Sequence, residues 1–178
     1  MAALGLTAGA QVVPSATARQ FSVTAGALGS VFQPDFSVSN GVGTSPNRLY
    51  GVGAYVDVKF TRWVQLEAEG RWLRFNTTLA NGYNEGNGED TYLIGPRIPI
   101  HHFRFLHATP YGKVLFGLGN GTFLTAPAFN IAYGGGVDLR LTKRLSLRAF
   151  DFEYQQWHVT PKALWPYGGS VGIGYKIF

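Results

Sequence analysis

The chain lacks cysteine, carries few charges and has no long apolar run. Without cysteine it has neither disulfide bonds nor thiolate metal sites. Charged residues make up 14 % of the sequence, where about 25 % is usual for a soluble domain. No segment reaches the roughly 18 consecutive apolar residues that a membrane-spanning helix requires. These absences exclude a disulfide-stabilised scaffold and a helical membrane protein.

The charge balance is basic, with 15 Lys and Arg against 10 Asp and Glu. The densest basic cluster is only the pair Lys143 and Arg144, in a predicted turn. Nucleic-acid binding uses a basic patch or stripe, and no run of this kind is present in the sequence. We therefore expect no nucleic-acid partner.

The first 19 residues differ from the rest of the chain. Residues 2–13 are small and apolar, and Ala8-Gly9-Ala10 or Ala16-Thr17-Ala18 has the small-x-small form of a signal-peptidase site. A basic segment at the start is missing. We interpret residues 1–19 as a signal-peptide remnant or flexible N-terminal segment, and residues 20–178 as one domain.

Two residue classes are abundant: the chain has 24 Gly, and its aromatic residues are 4 Trp, 9 Tyr and 13 Phe. From residue 20 onward, apolar residues recur at every second position. Between Arg48 and Phe60 the even-numbered residues from Tyr50 are apolar, whereas Asp57 and Lys59 are odd-numbered. Because side chains alternate across a strand, this period predicts strands with one apolar and one polar face. The chain is predicted to be all-β.

Turn-forming residues divide the chain into eight such segments. They are predicted at residues 20–32, 48–60, 64–75, 90–100, 107–119, 128–141, 144–156 and 167–178. Most are longer than the usual 5 or 6 residues, roughly, of a globular strand. They match the roughly 9 to 11 residues with which a tilted strand crosses a bilayer.

The connections between these segments alternate in length. Those at residues 61–63, 101–106 and 142–143 are short, whereas those at 33–47, 76–89, 120–127 and 157–166 are longer. In an up-and-down barrel, alternate connections lie at the same end, so this sorting is typical of outer-membrane barrels. We predict an eight-stranded antiparallel up-and-down transmembrane β-barrel with short periplasmic turns and long extracellular loops.

The polarity of the two faces predicts which of them meets lipid. The opposite orientation, as in a soluble ligand-binding barrel, would leave very few charges to solvate the surface. We expect the apolar face outward, with aromatic residues near the strand ends as interfacial girdles. The girdle candidates are Tyr50, Phe60, Trp63, Trp72, Tyr92 and Trp157, together with Phe32, Phe103, Phe129 and Phe178.

The polar face supplies a candidate ionic network inside the barrel. Its members are Asp57, Lys59, Glu67, Glu69, Arg71, Arg97, Lys113, Asp138 and Arg140, with Arg148 as a further candidate. Buried charges persist only when paired and hydrogen-bonded, and these ten include four acids and six bases. In the seventh segment Leu145 shares parity with Asp151, which predicts a β-bulge near 148–150. We expect a lumen plugged by side chains.

Four features together resemble a known family. They are the export-like start, the eight alternating segments, Gly95-Pro96-Arg97 in the fourth segment, and the C-terminal stretch from Val171 to Phe178. The sequence resembles the OmpA/OmpX-type small outer-membrane barrels of the outer-membrane β-barrel domain family. The resemblance implies a location in the outer membrane of Gram-negative bacteria. It also implies a C-terminal signal, here Tyr175 and Phe178, for the barrel-assembly machinery, although Phe178 is one residue out of phase with the alternating set.

Candidate catalytic and metal sites are sparse. His158, Glu153 and Ser170 are the only local set that suggests a lipid-A-modifying enzyme. His101, His102 and His107 beside Arg104 suggest a metal cluster, but we interpret them as polar turn residues. The acidic residues Glu85, Glu89 and Asp90 are interpreted as a solvated loop. We predict no catalytic residues, no metal and no cofactor.

We therefore expect a non-enzymatic integral outer-membrane barrel with a structural or surface-interaction role. A small ion-conducting channel and a lipid-A-modifying barrel enzyme are the alternatives. The expected partners are outer-membrane lipid and lipopolysaccharide, the barrel-assembly machinery during biogenesis, and other envelope proteins.

Overall fold

The fold is a single closed sheet of eight strands. A computed structural model describes residues 21–35, 48–78, 84–100, 108–122 and 124–178. The strands are β1 (Ser22–Gln33), β2 (Leu49–Lys59), β3 (Gln65–Thr78), β4 (Asn84–Pro99), β5 (Ala108–Gly121), β6 (Ala128–Arg140), β7 (Leu145–His158) and β8 (Tyr167–Lys176). Each strand pairs antiparallel with its neighbours in the sequence, and β8 pairs with β1. The predicted up-and-down barrel is confirmed.

The wall of the barrel separates apolar from polar side chains. On β2 the outward residues Tyr50 and Val52 are 55 % and 63 % exposed, whereas the inward residues Tyr55 and Asp57 are 3 % and 7 % exposed. Exposed apolar side chains of this kind cover the outer face of the other strands too. An apolar surface so extensive is unfavourable in water and favourable against lipid.

The hairpin of β3 and β4 is longer than the sequence indicates. Residues 76–89 were expected to form a loop, but β3 continues to Thr78 and β4 begins at Asn84, with Thr78 paired to Asn84. This loop boundary is therefore wrong. Backbone hydrogen bonds can join two strands whatever their side chains are. Asn and Gly residues therefore extend the pairing of β3 with β4 beyond the part of the strands that has an apolar face.

The predicted bulge in β7 is confirmed. Asp138 on β6 pairs with Arg148, whereas its neighbour Val137 pairs with Phe150, so Ala149 is an extra residue. The register against β8 shifts between Arg148 and Asp151. As a result Arg148 and Asp151 are both buried inside the barrel, and Phe150 faces outward.

Two apolar clusters lie inside the barrel beside the polar residues. Phe32, Leu49 and Leu73 meet where β1, β2 and β3 approach the longer connections. Leu93, Leu115 and Ala132 form the second cluster, on β4, β5 and β6. The interior is thus packed by apolar groups on two sides of its charged centre.

Candidate functional site

The centre of the barrel is crossed by two reciprocal ion pairs. In a closed ring of eight strands, β3 and β7 are four positions apart and lie opposite each other. Arg71 on β3 donates through Nη2 to Glu153 Oε1 on β7 at 2.8 Å. Arg148 on β7 donates through Nη2 to Glu67 Oε2 on β3, also at 2.8 Å. Each strand therefore sends one arginine and one carboxylate across the lumen.

Lys113 on β5 lies between these two crossings. Its Nζ is 2.8 Å from Glu67 Oε1, 3.1 Å from Glu69 Oε2, 2.8 Å from Asp151 Oδ2 and 2.6 Å from Glu153 Oε1. The Lys113 side chain has no solvent exposure. One ammonium thus joins carboxylates from opposite walls of the barrel.

A further layer lies toward the short connections. Arg97 on β4 contacts Asp57 Oδ2 at 2.6 Å and Asp138 Oδ2 at 2.5 Å, which joins β2, β4 and β6. Its Cζ lies 3.6 Å from the centroid of the Tyr111 ring, and Arg148 Cζ lies 3.8 Å from that of Tyr55. The two rings give the guanidinium groups an apolar but electrostatically favourable contact.

The ionic cluster contains more acids than bases. Its four cations are Arg71, Arg97, Lys113 and Arg148, and its six carboxylates are Asp57, Glu67, Glu69, Asp138, Asp151 and Glu153. Burying these charges is tolerable only because every member has a partner.

Three of these carboxylates also have a spacing that suits a metal ion. Oxygens of Glu67, Glu69 and Asp151 lie within 4.8 Å of one another. The Lys113 ammonium contacts all three residues and already supplies a positive charge at that position.

Two residues expected in this network lie outside it. Lys59 follows the network member Asp57 by two residues on β2, and Arg140 follows Asp138 by two residues on β6. Each is therefore the next inward-facing residue toward the end of its strand. Two residues along a strand advance it by about 6 to 7 Å, which places both cations at the mouth of the barrel. Within the described part of the chain, neither has a carboxylate within salt-bridge distance, so their assignment to the network is wrong.

Two members of the cluster were not among the predicted residues. Asp151 and Glu153 follow the bulge at Ala149, which moves them from the outward to the inward parity. The signal was in the sequence, because the bulge itself was predicted. Carrying its shift through the rest of β7 would have placed both carboxylates inside.

The same shift corrects the position of Trp157. It was expected in an outer aromatic girdle, but it is fully buried inside the barrel. Its Nε1 donates to Gln155 Oε1 at 2.8 Å. Gly119 makes room for the indole, since a Cβ at that position would lie 2.6 Å from the ring.

Phe32, also expected in the girdle, faces inward and is buried, and Phe103 lies outside the described residues. The other girdle candidates on the strands lie on the outer face. Tyr50, Phe60, Trp63 and Tyr92 are half exposed or more. Trp72 is partly covered, and its Nε1 donates to the Tyr92 hydroxyl at 3.0 Å. Tyr50, Trp72 and Tyr92 lie toward the longer connections, and Phe60 and Trp63 adjoin a short one.

The proposed enzyme set does not converge. Ser170 faces inward and shares a 2.8 Å hydrogen bond with Ser30, and Glu153 belongs to the ionic cluster. His158 is exposed and packs its ring 5.5 Å from that of Phe129 on the outer side. His158 therefore lies on the outside of the barrel wall, whereas Ser170 and Glu153 lie on the inside. Because the wall separates them, these three groups cannot act together.

The remaining candidates are separated as well. Glu89 is buried inside the barrel, whereas Asp90 faces outward and pairs with Arg74, so this segment is not a solvated loop. The side chain of Glu85 lies outside the described residues, as do His101, His102, Arg104 and His107.

The C-terminal residues of the assembly signal lie apart from the ionic cluster. Tyr175 faces outward from β8, and its hydroxyl accepts a hydrogen bond from Arg144 Nη1 at 3.1 Å. Phe178 follows the end of β8 and is 72 % exposed. Val171, Ile173 and Ile177 share the outward face with Tyr175.

Comparison with known proteins agrees with this architecture. Among the described residues, no helix is long and apolar enough to cross a membrane. Residues 1–176 match the model of the outer membrane protein beta-barrel domain. The chain belongs to this family. As a family member it is an integral barrel of the bacterial outer membrane, which confirms the predicted localisation. No curated protein matches the sequence.

Solved structures with the same fold include three from outer membranes. Neisserial surface protein A (NspA) has a TM-score of 0.61 at 13 % identity, over 88 % of this chain and 97 % of that chain. Ail, the attachment invasion locus protein of Yersinia pestis, was solved with the heparin analogue sucrose octasulfate. It has a TM-score of 0.56 at 15 % identity, with coverage of 88 % and 97 %. OprG of Pseudomonas aeruginosa has a TM-score of 0.55 at 9 % identity, with coverage of 88 % and 95 %. At these identities the likeness is one of fold.

Proposed function

We propose that this family member is a non-enzymatic outer-membrane barrel whose ionic cluster closes the lumen, and that it acts as a structural or surface-interaction protein. The reciprocal crossings of Arg71 with Glu153 and of Arg148 with Glu67 carry the proposal. They occupy the diameter of the barrel, which is where a pore would have to run.

Several observations support a closed lumen. A barrel of eight strands encloses an interior only wide enough for side chains to fill it. Here the filling consists of paired charges together with the apolar cluster of Phe32, Leu49 and Leu73. An ion crossing this region would have to separate buried pairs, and each unpaired charge in such surroundings is costly.

Conductance in planar lipid bilayers tests this closure. We expect no discrete steps from the wild-type barrel, and brief steps from Arg71→Ala combined with Glu153→Ala, which shortens both members of one crossing. Arg74→Ala with Asp90→Ala is the matched control, because that pair joins the same strand to a carboxylate on the outer face. Discrete wild-type steps would contradict the closure and favour the alternative of a small channel.

The surface role rests on the end of the barrel with the longer connections. The β3–β4 hairpin extends there, with backbone pairing as far as Thr78 and Asn84. Connections on a rigid scaffold are the usual carriers of binding. NspA is named a surface protein and Ail an attachment protein, which agrees with such a role here.

The proposed partners follow from the surfaces of the barrel. The apolar outer face contacts outer-membrane lipid and lipopolysaccharide. During biogenesis the C-terminal strand would be recognised by the barrel-assembly machinery, and the external connections would meet other envelope proteins. Surface exposure is tested by placing an epitope tag within residues 79–83. Antibody binding to intact cells is expected, and binding only after cell lysis would contradict the surface role.

A further inference from the structure

A cavity of about 700 Å³ opens at the end of the barrel with the short connections. This end faces the periplasm in outer-membrane barrels. The ionic cluster forms the floor of the cavity through Arg97, Asp57 and Asp138. Its rim is built from the last inward-facing residues of the strands. The floor consists of paired acids and bases, whereas the rim carries cations and hydroxyl groups.

The strands of the rim carry three cations in a regular order, and Lys143 and Arg144 in the turn after β6 also line the cavity. The three cations are the last inward-facing residues of three strands: Lys59 on β2, Lys176 on β8 and Arg140 on β6. The strands between them contribute hydroxyl groups, because Thr24 on β1 pairs with Lys176 and Ser146 on β7 pairs with Arg140. Cation and hydroxyl therefore alternate along one arc of five adjacent strands. We call these five residues the rim arc.

The positive charge of the rim arc is not neutralised by neighbouring side chains of the described residues. Within the described ranges, Lys59, Arg140 and Lys176 have no carboxylate within salt-bridge distance. Lys176 and Arg140 both act electrostatically on the Lys59 ammonium as like charges. The nearest acids, Asp57 and Asp138, are already held by Arg97 and Arg148. An anion placed in the cavity would relieve this repulsion.

We propose that the rim arc binds a phosphate group at the periplasmic mouth of the barrel. A phosphate monoester presents three acceptor oxygens and nearly two negative charges near neutral pH, which suits three cations with hydroxyl donors between them. A carboxylate has only two oxygens and one charge. Arginine and lysine with phosphate form charge-assisted hydrogen bonds, which are stronger than neutral ones. The cavity volume accommodates a group larger than a single phosphate.

Two sources supply this chemistry at the periplasmic mouth. One is a soluble phosphate compound of the periplasm, and the other is the headgroup of a phospholipid in the inner leaflet. Basic pockets at a membrane boundary bind anionic headgroups in other membrane proteins. The site requires only the barrel and its rim, so it does not depend on whether the lumen conducts.

Calorimetric titration of the full chain with inorganic pyrophosphate tests the proposal, in a detergent without phosphate. Lys59→Gln combined with Arg140→Gln is expected to weaken binding by about tenfold or more, because two charge-assisted contacts with the phosphate are lost. The matched control is Arg48→Gln with Lys162→Gln, which removes one arginine and one lysine at the opposite end of the barrel. The control is expected to bind as the wild type does.

Three results would overturn the proposal. They are no pyrophosphate binding by the wild type, an equal loss in the two double variants, and equal affinity for succinate, a dianion without phosphate. A second arm distinguishes the sources. In this arm the affinity for pyrophosphate is measured in nanodiscs of phosphatidylglycerol and in nanodiscs of phosphatidylcholine. A weaker affinity in phosphatidylglycerol would show that its headgroup competes for the rim arc and is an occupant. An unchanged affinity would assign the site to a soluble phosphate.

Discussion

The guanidinium of Arg71 on β3 hydrogen-bonds the carboxylate of Glu153 on β7, across the diameter of the barrel and 82 positions away in the sequence. The same guanidinium contacts Glu69 and Asp151. One arginine thus neutralises carboxylates on two opposite walls, and its removal leaves Glu69 and Glu153 with the ammonium of Lys113 as their shared cation.

Arg71→Leu is therefore expected to destabilise the barrel by about 3 to 5 kcal/mol, the usual effect of removing one partner of a buried ion pair. Urea unfolding in lipid vesicles, followed by tryptophan fluorescence, measures the change. Arg74→Leu is the control on the same strand. Its pair with Asp90 is largely exposed, so a loss of about 1 kcal/mol or less is expected. Equal losses in the two variants would contradict the role assigned to Arg71.

Gly119→Ala should destabilise the barrel through contact with Trp157. Its Cβ would lie 2.6 Å from the indole, and overpacking of this kind costs about 1 to 3 kcal/mol. Gly29→Ala is the control, because a Cβ there meets nothing within 4 Å. Trp157→Leu should restore part of the stability in the Gly119→Ala background. No recovery would mean that the strain lies elsewhere.

Fluorescence quenching by brominated lipids should separate the inward from the outward tryptophans. In a variant that keeps only Trp63, we expect strong quenching, since this side chain is half exposed in the short connection after β2, where interfacial aromatic residues meet lipid. In a variant that keeps only Trp157, which is fully buried inside the barrel, quenching should be weak. Strong quenching of Trp157 would place it in lipid and contradict its inward position.

The proposed C-terminal signal predicts a defect in cells that is absent in vitro. Tyr175→Ala and Phe178→Ala should lower the amount of folded barrel in the outer-membrane fraction, measured by its gel shift on heating. Spontaneous folding of the same variants into vesicles should be nearly unchanged. Phe150→Ala, which removes another outward aromatic residue from β7, serves as control. Equal losses in cells and in vesicles would indicate a stability effect instead of a recognition signal.

The strand pattern was predicted closely where one face is apolar. β2 was expected at residues 48–60 and spans Leu49–Lys59. The start of β4 was missed, because Asn84 to Glu89 has the composition of a loop while its backbone pairs with β3. Strand propensity reports on side-chain packing against neighbours and cannot reveal a ladder that only the backbone maintains.

The interior was predicted less completely than the wall. Glu67, Glu69 and Arg71 face inward as their alternation with apolar residues indicates. Trp157 and Lys59 show the two limits of that reasoning. Parity is lost after a bulge, so Trp157 was assigned to the wrong face. Parity also carries no information on depth, so Lys59 was placed in a cluster that it does not reach.

The sequence by itself determined that eight strands form and which face of each is apolar, because the alternation of side chains along a strand is a local property of the backbone. Only the tertiary structure decided which charges meet. Arg71 contacts Glu153, and Arg148 contacts Glu67, because closure of the barrel sets β3 opposite β7. Ring closure and register are cooperative properties of all eight strands, and no single segment encodes them.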